Sequence, residues 1–137
     1  MARLILDTTV LIAAERDEIQ LEASIDDDDD LAIAALTAAE LLVGVELASA
    51  KRRGPRAAFV DAVLETLVVE DYTLDTARAH AELLAQVKRS GKPRSAHDLI
   101  IAAIAIATDR AVVTDDARGF TRLRGVEVRP WKAEQRP

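Results

Sequence analysis

Apolar positions along the chain fall into short runs separated by stretches with helical spacing. Arg3-Leu4-Ile5-Leu6 reads as a short buried strand ending at Asp7, and Val10 to Glu15 suits a short helix. A polar, irregular stretch follows to Asp30. Leu31-Ala32-Ile33-Ala34 is a second strand candidate, although its alanines leave a helix open. From Thr37 to Ala50, Leu41, Val45 and Ala48 repeat on one helical face, with Thr37 placed as N-cap. Gly54-Pro55 is expected to break the chain before a helix from Arg56 to Leu67, and Val68-Val69 reads as a third strand. Asp75 to Ser90 is amphipathic and closed by Gly91 and Pro93, and Ser95 caps a very apolar helix running to Thr108. Ala111-Val112-Val113 and Gly125 to Val128 supply a fourth and a fifth strand, and the tail from Trp131 reads as polar and frayed. Short apolar strands alternating with helices predict a three-layer α/β/α sandwich whose mainly parallel five-stranded sheet is covered on both faces. Such sheets bind ligands beyond the carboxyl ends of their strands, where strand order reverses.

Length and composition narrow this picture. The 137 residues suit one domain over 1–137, and the absence of cysteine removes disulfides, thiolate metal sites and cysteine nucleophiles. The longest uncharged apolar run, Leu99 to Ala107, covers about half a bilayer. An acid at position 7 argues against a signal peptide. The expectation is a soluble cytoplasmic protein without a membrane role. The net charge of −6 argues at first against a nucleic-acid partner. Five of the acids, however, form the run Asp26 to Asp30, expected in one exposed loop; set aside, they leave −1. Basic residues cluster at Lys51 to Arg53 with Arg56, at Lys88-Arg89 with Lys92 and Arg94, and from Arg118 through Arg122 to Arg124. Charge alone does not decide the partner.

The candidate chemistry lies in acids at the ends of apolar segments. Asp7 follows the first strand, Glu40 and Asp98 open apolar helices, and Asp115-Asp116 follow the fourth strand. Capping boxes explain two of them, since Thr37-x-x-Glu40 and Ser95-x-x-Asp98 both fit that pattern, and Asp7 and Asp116 suit helix caps. A carboxylate at the start of a nearly buried helix is nevertheless costly unless paired or bound to a cation. Oxygen donors with no cysteine and only two histidines, His80 and His97, point to Mg²⁺ or Mn²⁺ rather than zinc. His97 reads as a surface or helix-start residue.

These segments resemble the motifs of PIN-domain ribonucleases. Asp7-Thr8-Thr9-Val10-Leu11-Ile12 is similar to the family's D-x-[ST]-x-[LI]-[IL] opening, and Thr37 to Gly44 to its [ST]-x-x-E-L-x-x-G element. Gly91, Pro93 and Asp98 to Ala103 resemble G-x-P…D-x-x-I-A-A, and Val113-Thr114-Asp115-Asp116 with Phe120 resembles V-T-x-[DN]-x3-F. Order, spacing and length match the VapC toxins of bacterial toxin–antitoxin pairs.

The resemblance implies a sheet order of 3-2-1-4-5 and a metal-dependent endoribonuclease site formed by Asp7, Glu40, Asp98 and Asp116. Asp7 and Asp98 would be the main ligands, with Glu40 and Asp116 acting directly or through water; the doublet leaves open whether Asp115 shares this role. Thr9 and Thr114 match the family's hydroxyl positions, where an O–H orients a carboxylate. Lys92, Arg94, Arg118 and Arg122 flank the motif acids and are expected to meet RNA phosphates. The implied partners are an RNA substrate, a VapB-type antitoxin whose basic segment is drawn to the acidic pocket, and a second copy in a homodimer. Apolar positions on the Arg56–Leu67 helix are candidates for either protein interface. Two other readings compete. An inactive PIN scaffold would only bind a partner. A receiver-like signalling domain would need a lysine after the fifth strand, and Lys132 lies too far into the tail.

Overall fold

A computed structural model describes residues 1–16 and 26–130. Most of the polar stretch before Asp30, and the tail from Trp131, lie outside the described residues. Five strands form one parallel sheet in the order β3-β2-β1-β4-β5. They are β1 (Arg3–Leu6), β2 (Asp30–Ala34), β3 (Val68–Glu70), β4 (Ala111–Thr114) and β5 (Val128–Pro130). The helices are α1 (Thr8–Glu15), α2 (Ala35–Glu46), α3 (Ala50–Thr66), α4 (Leu74–Ser90) and α5 (Ala96–Ala107), and a 3-10 turn spans Ala117–Gly119. The expected α/β/α sandwich and strand order are both borne out.

Strand alternation assigns the two faces. Ile5 and Val112 point into a core shared with α4, α5 and Phe120. Leu4, Leu6, Ala111 and Val113 point into a second core with α1, α2 and α3. Because β1 and β4 are buried on both sides, they read in the sequence as continuous apolar runs. Their adjacency, with Leu6 opposite Val113, brings the residues following them, Asp7 and Thr114, to one edge of the sheet.

Four local expectations need correction. Thr37 is not an N-cap: α2 already starts at Ala35, and Thr37 is buried inside it, facing Thr8. The Thr37-x-x-Glu40 capping box is therefore absent. Gly54-Pro55 does not break the chain, because α3 runs through both. Residues 51 to 55 are exposed, so water can donate to the carbonyl that Pro55 leaves over. The fifth strand lies further on, because Gly125 occupies a turn at φ +81° and pairing begins with Val128 opposite Val112. The Asp run is only partly an exposed loop: Asp30 opens β2 and bonds Arg3 and Arg110, while Asp29 accepts from the Ala2 amide.

Candidate metal centre

Asp7 sits where β1 becomes α1, and only 4% of it is exposed. One oxygen, Oδ1, caps α1 by accepting from the amides of Thr9 (2.8 Å) and Val10 (3.3 Å) and from the Thr9 hydroxyl. The other, Oδ2, accepts from Thr114 Oγ1 at 2.6 Å. The loop after β4 is fastened to the same group: the Asp115 amide donates to Thr9 Oγ1 and the Asp116 amide to Thr114 Oγ1. Two threonine hydroxyls thus fix the orientation of one buried carboxylate, in the positions the motifs indicate.

Asp98 opens α5, where Ser95 caps the helix by accepting the Asp98 amide at 3.0 Å. Half of the expected capping box is present. Burial pushes the Asp98 carboxyl above its ordinary value, and the negative charges of Asp7 and Asp116 add to the rise. Three of the four predicted acids therefore share one field. Gly119 closes the other side: a Cβ there would lie 2.1 Å from Asp98 Oδ2. Asp116 caps the 3-10 turn and pairs with Arg118 through two bonds of 2.9 Å. That guanidinium holds the Asp116 carboxyl down to about 2.

Glu40 is held between neighbours of the other acids. Thr8 Oγ1 donates to Glu40 Oε1 at 3.1 Å, and His97 Nδ1 lies 3.2 Å from Oε2. Neither partner was singled out as functional in the sequence. Thr8 is indistinguishable there from its neighbour Thr9, and nothing local signals that His97 reaches a helix 57 residues earlier.

Among the described residues, no three of these four acids bring carboxylate oxygens within 4.8 Å of one another; the group that does is Asp26, Asp28 and Asp29. Asp115 is exposed. Of the expected phosphate contacts, Lys92, Arg118 and Arg122 are exposed, whereas Arg94 is half-buried and donates to the carbonyls of Gly119 (3.0 Å) and Thr121 (2.8 Å). On α3, Phe59, Val60, Val63 and Leu64 pack into the core, so that helix is not the main exposed apolar face. Exposed large apolar side chains among the described residues include Leu42, Val43 and Leu47 at the end of α2, and Tyr72 and Leu74 around the start of α4.

A parallel sheet with acids at its strand-order reversal defines a class of ligand-binding α/β fold, and comparison with known proteins identifies the family. Residues 4–126 match the PIN domain family. The chain is 39% identical over 115 residues to Ribonuclease VapC5 of Mycobacterium tuberculosis, covering 82% of each chain. It is 36% identical over 140 residues to the VapC ribonuclease Y4jK of Sinorhizobium fredii, covering 94% of this chain and 98% of that one. The crystal structure of VapBC-5 from Mycobacterium tuberculosis, a member of the VapBC family of toxin–antitoxin systems, is similar with a TM-score of 0.77 and 32% identity. That match covers 96% of this chain and 99% of the other. The chain belongs to the PIN-domain family, among its VapC ribonucleases. No helix among the described residues is long and apolar enough to cross a membrane.

Proposed function

We propose that this chain is the toxin of a type II toxin–antitoxin pair, a cytoplasmic endoribonuclease whose divalent cation is held by Asp7, Asp98 and Asp116, with Glu40 at the edge. The observation that carries the reading is the shared field of Asp7, Asp98 and Asp116 around a carboxylate already oriented by two hydroxyls. The donor set fits: hard carboxylate oxygens suit Mg²⁺ or Mn²⁺, and a cation would offset the burial and the like charges that raise Asp98. Asp7 and Asp116 are both among the charges acting on Asp98, which supports Asp116 as the fourth acid.

A cation bound there would acidify water and neutralise charge on the scissile phosphate. The chain's own contribution is orientation. Thr9 and Thr114 keep Asp7 from rotating, Ser95 and Gly119 confine Asp98, and Thr8 with His97 hold Glu40. Arg118 neutralises Asp116 in the metal-free chain and is freed for phosphate when Asp116 is neutralised otherwise. Lys92, Arg94 and Arg122 line one pocket with Gln86 and Ser90, where Lys92 and Arg122 supply a cationic rim for the RNA backbone. The antitoxin covers the exposed apolar end of α2 and sends a basic segment toward the acids. The purified protein should cleave structured RNA with Mg²⁺ or Mn²⁺ and lose that activity in EDTA. Cleavage that persists in EDTA would overturn the reading.

A further inference from the structure

We propose that Arg94 is a positioning residue for Asp98, acting through the backbone of the turn around Gly119, and not a phosphate contact. The inference rests on the metal-site reading above and deepens it.

Arg94 stands one residue before Ser95, the N-cap of the helix that carries Asp98. Its guanidinium is half-buried, and two of its nitrogens each donate to a different carbonyl, those of Gly119 and Thr121. A planar fork with fixed donor directions fixes the distance between its own segment and that turn. The turn begins at Asp116, and its far end is anchored by Phe120, which is buried in the core. Arg94 therefore ties the start of α5 to the loop that bears the fourth acid.

Gly119 shows what this tie controls. Its backbone approaches Asp98 so closely that a methyl group would lie 2.1 Å from Oδ2 and 2.8 Å from Cγ. No positive φ is involved at Gly119, so the constraint is one of space alone. The turn forms a wall against the Asp98 carboxylate, and Arg94 holds that wall in place. With Arg94 truncated, the turn keeps its anchors at Asp116 and Phe120 but loses its tie to the start of α5, and the Asp98 carboxylate gains freedom to rotate away from Asp7 and Asp116. The two carbonyls take two of the five guanidinium N–H groups, so a phosphate contact could use only those left over, and the salt slope of RNA binding separates the two roles.

Mn²⁺ binding to the purified full chain, followed by calorimetry, tests this with metal-free melting as a control for folding. Arg94→Ala should weaken Mn²⁺ binding about 10–100-fold, the range typical of groups that orient ligands. Arg94→Lys should recover only part, because one ammonium cannot span two carbonyls as the fork does. Gly119→Ala should weaken binding at least as much while its metal-free melting temperature stays near wild type, since a short side chain can swing away. RNA binding in EDTA should keep its salt slope in Arg94→Ala, whereas Lys92→Ala should lower it by about one. Unchanged Mn²⁺ affinity in folded Arg94→Ala, or a slope lower by about one, would overturn the proposal. Should Arg94→Ala not fold, Arg94→Lys and Gly119→Ala decide it, and wild-type affinity in both overturns it. A wild-type chain that binds no Mn²⁺ removes the metal-site reading and this proposal together. A wild type that binds, with Asp98→Asn lost and the Arg94 and Gly119 variants intact, removes only this one.

Discussion

The molecule carries two acidic regions that differ in nearly everything except residue type. In the run Asp26 to Asp30, three carboxylates approach within 4.8 Å of one another, yet they lie at the surface. Backbone amides and the amino terminus meet two of them: Asp29 accepts from the amides of Ala2 and Asp26, and Asp28 lies 3.6 Å from the Met1 ammonium. At the strand ends the acids are fewer and further apart. Asp7 is buried, gripped by two hydroxyls, and close enough to Asp98 to raise its pKa. Proximity of charges therefore does not mark the site; one buried, rigidly oriented carboxylate, Asp7, with Asp98 and Asp116 in its field, does. In the run, hydrogen bonds to backbone amides pull the Asp29 carboxyl below its ordinary value, so its ionised form supports folding. At the strand ends, burial does the opposite to Asp98.

The contrast breaks most readily at the strand ends. Asp7→Asn keeps the cap on α1 but replaces a charged donor with a neutral amide. It should reduce RNA cleavage to the EDTA level, as should Asp98→Asn, while the double variant Asp26→Asn/Asp28→Asn should cleave as wild type. A gel assay on one structured RNA compares all three, and full activity in Asp7→Asn would remove the site assignment. Thr114→Val has the next largest effect. It leaves a buried carboxylate oxygen short of a donor, at a cost of about 1–3 kcal/mol, readable by urea unfolding. It should also lower metal affinity or activity about 10–100-fold.

A smaller effect comes from pH. Because the folded pKa of Asp98 is raised, ionising it opposes folding: stability falls as pH rises from the ordinary carboxyl value of 3.8 through the folded pKa, then levels off. In EDTA, Asp98→Asn should thus melt close to wild type at low pH and above it at neutral pH. A variant that melts lower at every pH would reduce Asp98 to a capping role. Arg118→Ala should have the smallest effect, flattening the salt dependence of RNA binding by about one unit of slope.

The division between fold and site also explains what the sequence disclosed. β1, β4 and α5 were legible because burial on both faces leaves unbroken apolar runs, as in Leu99 to Ala107. Asp7, Asp98 and Asp116 were legible because each ends or begins such a run. Thr37 misled because a threonine before an apolar helix looks like a cap, and only the packing of α2 against α1 shows it buried beside Thr8. Pro55 misled because exposure of the flanking residues, which makes it tolerable inside α3, cannot be read locally. His97 and Arg94 act across 57 and 25 residues, on Glu40 and on Gly119, distances over which spacing carries no signal.

The metal-induced shift in melting temperature tests the central claim most directly, because capping and surface charge do not predict one at the strand ends. Wild type, Asp7→Asn, Asp98→Asn and Asp26→Asn/Asp28→Asn are melted in EDTA and again with saturating Mn²⁺. At a hundredfold excess over Kd, binding should stabilise the wild type by about 2.7 kcal/mol. The account predicts a full shift in wild type and in the Asp26/Asp28 double variant, and its loss in Asp7→Asn and Asp98→Asn. A shift that survives in Asp98→Asn and vanishes in the double variant would place the cation on the surface run and contradict the account.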